Sequence, residues 1–241
     1  MNVVEKFYTI QGEGKYAGTP AIFIRLGGCN LWCGMLNHPS TGFNINKDAR
    51  WVCDTVAVWM KKGEDISPQQ LLDYILTFPH SHIVFTGGEP LLHKNELIEV
   101  LKSLNVKEKE AGKVRFVEFE TNGTVPPIPP LFSNLDLSYN VSPKLANSGL
   151  ALSVRYNKDV LKQFLNVSSI FKFVVNDELE VAEIENNYNF IPNHRIYLMP
   201  ASSTREELIA KSEKVVEMCK KYNYIYSPRL QLFIYDRVVG V

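Results

Sequence analysis

Three cysteines pose the first chemical question. Cys29, Cys33 and Cys53 fall in one stretch of the chain, and the fourth cysteine, Cys219, lies far away. Cys29-x3-Cys33 sits in GGCNLWC, a loop opened by glycines rather than a core element, which favours ligation over packing. A zinc site normally wants four protein ligands, and His38 is the candidate fourth. Three thiolates alone suit an iron–sulfur cluster, leaving one iron for a substrate or cofactor. On the cysteines alone both readings stay open. Cys219, on the apolar side of KVVEMCKKY, reads as a buried core thiol.

Other chemistry-bearing residues are few. In Thr86-Gly-Gly-Glu-Pro90, the adjacent glycines allow close backbone approach and offer N–H groups to a carboxylate, and Glu89 could accept from an ammonium group. Gln11-Gly-Glu-Gly14 lacks the lysine and helix of a phosphate-binding P-loop. Arg25 is a charge inside AIFIRLGG, a position that calls for a partner or a ligand. His38, His80, His82, His93 and His194 share no ligand spacing and read as surface or turn residues. Tyr222, Tyr224 and Tyr226 read as packing aromatics.

These residues must be positioned by regular elements. Apolar runs at 21–28, 82–88, 114–122, 135–142, 170–176 and 195–200 predict strands. Helical patterns fall between them: one from Ser67, followed by Pro68, then 95–104, 158–165, 178–188 and 204–222, the last opening with the capping-box residues Thr204 and Glu207. Repeated βα units imply an α/β fold with a mainly parallel sheet, open or barrel-like, and ligands at the carboxyl ends of the strands. GGCNLWC, TGGEP, ETNG and SPK all fall where strands run out. Residues 34–52 break the rhythm and read as an inserted loop or hairpin over the site.

Residues 1–241 read as a single domain, since neither a repeat nor a long linker divides them. The composition, 45% hydrophobic and 22% charged, supports a sizeable core. Twenty-six basic residues balance 26 acidic ones, which argues against a general nucleic-acid binder. No apolar run is long enough for a membrane span, and the first residues lack a secretory pattern, so a cytoplasmic location is expected.

Taken together, FYTIQGEG at 7–14, G-x-P-A-I-F-I-R-L-G-G-C-N-L-W-C at 18–33, C-D-T at 53–55, T-G-G-E-P-L-L at 86–92, E-T-N-G at 120–123 and S-P-K at 142–144 resemble the 7-carboxy-7-deazaguanine synthase family of radical S-adenosylmethionine (SAM) enzymes. The motifs span most of the chain in the expected order. One departure stands out: the family commonly spaces its cysteines C-x3-C-x2-C, with an insertion before the second cysteine in some members. Here the spacing is C-x3-C-x19-C, and Arg50 occupies the place three residues before Cys53. The chain must therefore fold back to bring Cys53 within reach.

The resemblance implies a partial (βα)6-type TIM barrel and a [4Fe–4S] cluster on Cys29, Cys33 and Cys53, with SAM on the fourth iron. It implies a lyase that converts 6-carboxy-5,6,7,8-tetrahydropterin to 7-carboxy-7-deazaguanine with loss of ammonia, in 7-deazapurine (queuosine-type) biosynthesis. SAM would meet Gly88, Glu89, Glu120, Thr121, Ser142, Pro143 and Lys144. The pterin would meet Ile10, Gln11, Gly12, Glu13, Arg25, Thr86 and Val241, and Thr55 would bind Mg2+. No histidine follows Gln231, unlike relatives with a Q-T-H-K ending. A homodimer and an unidentified electron donor are expected as partners. The competing readings are a radical SAM activase of a glycyl-radical protein and a zinc-binding module.

Overall fold

The computed structural model describes residues 1–38, 40, 42, 44–78 and 82–238, so His80 and Val241 lie outside the described residues. Among these residues nine strands form one sheet: β1 (Asn2–Ile10), β2 (Pro20–Leu26), β3 (Glu64–Asp65), β4 (His82–Gly87), β5 (Arg115–Thr121), β6 (Leu135–Val141), β7 (Ser169–Val175), β8 (Ile196–Pro200) and β9 (Ile225–Tyr226). Their order is β3-β1-β2-β4-β5-β6-β7-β8-β9. Strands β2 and β4 to β9 run parallel, and β1 runs antiparallel to both its neighbours. The six strands expected from sequence are present. β1 was not anticipated, because NVVEKFYTI mixes charge into an otherwise β-prone run. The sheet is mostly parallel, with β3 and β9 at its edges, as expected of the α/β class.

Among the described residues eight α-helices accompany the strands: α1 (Val56–Trp59), α2 (Pro68–Leu76), α3 (Lys94–Glu110), α4 (Leu152–Arg155), α5 (Lys158–Phe164), α6 (Glu178–Asn187), α7 (Arg205–Tyr222) and α8 (Leu230–Tyr235). Ser67 caps α2 in a complete capping box with Gln70, and Asp177 does the same for α6 with Glu180. At α7 Thr204 accepts from the Glu207 amide, but the Glu207 carboxylate returns to the Ser203 amide at 2.7 Å. The box expected there thus closes one residue early. Among the described residues no helix is long and apolar enough to cross a membrane.

Because parallel crossovers are right-handed, strands taken in sequential order put their helices on one side of a sheet. The core follows suit. Ile22, Ile24 and Leu26 of β2, Ile83 and Phe85 of β4, and Phe119 of β5 pack in one cluster with Leu71 and Ile75 of α2, Leu97 and Leu101 of α3, and Val215 of α7. Phe85, Phe119 and Tyr139 stack across three adjacent strands, with ring centroids 5.3 and 5.2 Å apart. Alternation sends the intervening residues to the other face. Among the described residues, Ala21, Phe23 and Val84, with Phe7, make a small apolar cluster there. The rest of that face carries Thr86, Glu118, Glu120, Ser138, Asn140 and Lys172. His82, expected at the surface, is buried on it, with Nε2 3.2 Å from Glu118.

Phe119→Ala should cost about 3–5 kcal/mol of stability by urea denaturation, because it opens a cavity in the middle of this stack. Val106→Ala, on the exposed side of α3, should stay within about 0.5 kcal/mol of the parent.

Candidate functional site

Three strand-end loops meet beyond β2, β4 and β5. Gly88 packs against the cysteine loop so closely that a Cβ there would lie 2.1 Å from the Gly28 carbonyl oxygen and 2.7 Å from Cys29 Cβ. The Glu89 amide donates to that same carbonyl at 3.0 Å. Only a residue without a side chain permits this approach, which is the physical content of the paired glycines. The fully buried Glu89 carboxylate then ties two loops together. It accepts from the Leu91 amide (3.0 Å), the Thr121 hydroxyl (2.8 Å) and the Asn122 amide (2.7 Å). Burial outweighs these bonds and pushes its pKa up to about 7.

The three cysteines are all free thiols, with Cys33 buried and Cys29 and Cys53 half-buried. Cys33 lies close enough to feel the charge of Cys29 and Cys53, and Cys29 that of Cys53, and the Cys53 amide donates to the Cys33 carbonyl at 3.2 Å. Burial pushes Cys29 up to about 11 and Cys33 up to about 12. Protein charge alone therefore leaves them neutral, and a bound cationic centre is what would make them thiolates. Among the described residues no group of three or more His, Cys, Asp or Glu side chains is drawn together enough to hold a metal ion. The donor chemistry itself, three sulfurs in one loop system, fits an iron–sulfur cluster. His38 directs Nδ1 to the Ser40 hydroxyl at 2.6 Å. Thr55, at the start of α1, places its hydroxyl 3.4 Å from Cys53 Sγ.

The polar face of the sheet holds the second half of the site. Gln11 Nε2 donates to Glu118 (3.0 Å) and Glu120 (3.3 Å), and its Oε1 accepts from the Glu13 amide (3.1 Å). The Thr86 hydroxyl donates to Glu120 at 2.8 Å. Glu13 takes an ion pair from Lys172, a second from Arg229 Nε at 3.1 Å, and a bond from Gln231 Nε2 at 2.6 Å. Burial would raise the Glu13 pKa, but the two cations win and hold it at about 2. Lys172 feels the mirror image: burial pulls it down, and Glu13 and Glu120 together hold it above its ordinary value. Gln231 closes over Gly12, where a Cβ would lie 1.8 Å from its Oε1. The Asn140 amide, buried beside Gly14, has neither its donor nor its acceptor partnered. Arg25 faces the same side of the sheet and pairs with Glu5 at 3.0 Å.

Residues 142–149 supply the remaining wall. The Ser142 amide donates to the Thr121 carbonyl at 2.7 Å, and Lys144 Nζ donates to the Ser142 hydroxyl at 3.0 Å. Lys144 also lies over the Trp51 ring, 5.8 Å from its centroid, and its charge acts on Cys29, Cys33 and Glu89. Glu120 and Thr121 diverge, the first toward Gln11 and Thr86, the second toward Glu89. Such an arrangement suits a flat, polar ligand, with anionic and cationic groups to read its edges and a sulfur-lined corner beside it.

Sequence reasoning overlooked Lys172, Glu118 and Arg229. Lys172 carried the signal that singled out Arg25, a charge inside the apolar run IFKFVV. Glu13→Gln should destabilise the protein by about 3–5 kcal/mol at pH 7, since it strips a buried pair of its anion. A lowered carboxylate pKa stabilises above the unfolded value and that stability is lost as pH falls through the folded one. The gap between parent and variant should therefore narrow between about pH 4.5 and about pH 2, as read from urea midpoints.

No family model matches the chain. It is 31% identical over 244 residues to the 7-carboxy-7-deazaguanine synthase of Hyperthermus butylicus, covering 97% of this chain and 92% of the relative. The synthase of Pyrobaculum aerophilum is 30% identical over 247 residues, covering 100% and 97%. The synthase of Halobacterium salinarum is 29% identical, covering 96% and 89%. The crystal structure of QueE from Escherichia coli superposes with a TM-score of 0.58 at 25% identity, over 94% of this chain and 92% of that one. With near-complete coverage at this level of identity, the chain belongs to the 7-carboxy-7-deazaguanine synthase family.

Proposed function

We propose that the protein converts 6-carboxy-5,6,7,8-tetrahydropterin to 7-carboxy-7-deazaguanine with loss of ammonia, using SAM and a [4Fe–4S] cluster. The observation that carries this reading is the juxtaposition of a three-cysteine loop, packed on Gly88, with the polar sheet face around Gln11, Glu13 and Glu120. Cys29, Cys33 and Cys53 are the proposed cluster ligands. When bound, cluster and SAM supply the radical chemistry that starts the ring contraction. The sheet, on this reading, curves as a partial (βα)6 barrel around its polar face.

The chain's own residues bind and orient. Backbone groups of Gly88 and of Ser142–Pro143–Lys144 flank SAM, with Glu89 and Thr121 fixing those loops against one another. The Glu13 carboxylate, ionised throughout the physiological range, accepts from the donor-rich edge of the pterin, with Ile10, Gln11 and Gly12 beside it. Thr86 and Glu120 line the same cleft. Arg25 reads the substrate carboxylate, exchanging its contact with Glu5 for a bidentate pair. Thr55 contributes one oxygen to a Mg2+ ion completed by substrate oxygens and water. Two copies of the chain associate as a homodimer.

The test is anaerobic. Protein reconstituted with iron and sulfide, then given SAM, a reductant and the tetrahydropterin, should release the ring-contracted product, and its absence would defeat the proposal. Alanine at Cys29, Cys33 or Cys53 should abolish iron incorporation, whereas Cys219→Ala should leave it intact, because Cys219 packs in the helix-side core. Arg25→Ala should weaken pterin binding about tenfold or more with SAM affinity unchanged, by equilibrium titration. Equal losses for both ligands would remove Arg25 from the substrate pocket.

A further inference from the structure

Of the 19 residues between Cys33 and Cys53, the described ones bring two limbs together. Met35 bridges Ile45 in antiparallel fashion, the Leu36 amide donates to the Asn44 carbonyl, and the Asn46 amide donates to the Gly34 carbonyl. The returning limb docks on the loop after β6. The Arg50 amide donates to the Asn147 carbonyl (2.8 Å), Trp51 Nε1 donates to the Asn147 side chain (2.9 Å), and Asn46 Nδ2 donates to the Gly149 carbonyl (2.9 Å). Beyond these neutral contacts lies one charged one. Arg50 Nη1 donates to Glu180 at 2.9 Å and Nη2 to Asp177 at 2.7 Å.

Both acceptors are already oriented by the helix they begin. Glu180 accepts from the Asn176 and Asp177 amides, and Asp177 from the Leu179 amide. Arg50 therefore clamps the insertion onto the capping box of α6, 127 to 130 residues further along the chain, and three residues later the chain delivers Cys53 to the Cys33 carbonyl. At Gly34, just past Cys33, a Cβ would lie 2.6 Å from Trp51 O and Val52 Cα, so the two limbs close tightly at the base.

We propose that Arg50 is a positioning residue: its forked pairing with Asp177 and Glu180 staples the insertion down and holds Cys53 against Cys33 before any iron arrives. A flexible 19-residue loop would pay closure entropy at the moment of metal binding, and the staple moves that cost into folding. The purpose rests on the reading of the three cysteines as cluster ligands, but the clamp is measurable without metal.

The test uses metal-free, full-length protein, with iodoacetamide alkylation of individual cysteines read by mass spectrometry and hydrogen exchange followed at the Cys53 amide. Arg50→Ala should raise both the Cys33 alkylation rate and Cys53 exchange about tenfold, with Cys219 alkylation unchanged as the internal control for the fold. Arg50→Lys, which keeps the charge but not the fork, should fall between. In the unmodified protein, 1 M sodium chloride should accelerate Cys33 labelling several-fold, because the pair is partly exposed and salt screens it. The Arg50→Ala protein should show no such salt effect. Unchanged Cys33 labelling and Cys53 exchange in Arg50→Ala, or salt-insensitive labelling in the unmodified protein, would overturn the staple. Failure of iron incorporation with these results intact would instead overturn the cluster reading.

Discussion

The Glu13 carboxylate gathers Lys172 of β7 and, from the start of α8, Arg229 and Gln231, segments remote from it in the chain. Two cations taken out of water need a compensating anion, and this carboxylate supplies it at the centre of the polar sheet face. The consequence reaches further through Arg229, which also contacts Asp54 at 2.7 Å, the residue between Cys53 and Thr55. One ion-pair network therefore joins the β1–β2 loop, the middle of the sheet, the C-terminal helix and the cysteine region.

Sheet topology makes such a network affordable. Strands in sequential order with right-handed crossovers bury one face under helices, and that face holds most of the buried apolar side chains. The opposite face is relieved of a packing role and carries Thr86, Glu118, Glu120, Asn140 and Lys172 in neighbouring strands. Strand ends then place the sulfur-bearing loop next to that face. The contact of Gly88 with Gly28 and Cys29 is the seam between the two halves, and the buried Glu89 keeps it closed from beneath.

The insertion after Cys33 shows how a departure in spacing is absorbed. Met35 and Ile45 bridge its two limbs, its return path is fixed on Asn147 and α6, and its ends meet at the backbone of Cys33 and Cys53. Trp51 lies under Lys144, so the same segment also supports the wall formed by 142–149. The added residues thereby become part of the site's frame.

Much of this was legible in the residues alone. The alternating βα pattern, the Ser67 cap, the motif positions at strand ends and the core placement of Cys219 all follow from local periodicity and turn chemistry, which act over a few residues. The three clustered cysteines and the paired glycines declared their chemistry through residue type. What sequence could not supply was partnership across distance. Whether Arg25 is free or bound to Glu5, which side of the sheet Lys172 faces relative to Glu13, how His82 comes to lie against Glu118, and where Arg50 lands are matters of three-dimensional packing. Side-chain type sets what a charge requires; only the folded chain, by bringing residues as far apart as 13 and 229 within 3.1 Å, selects which partner meets that requirement.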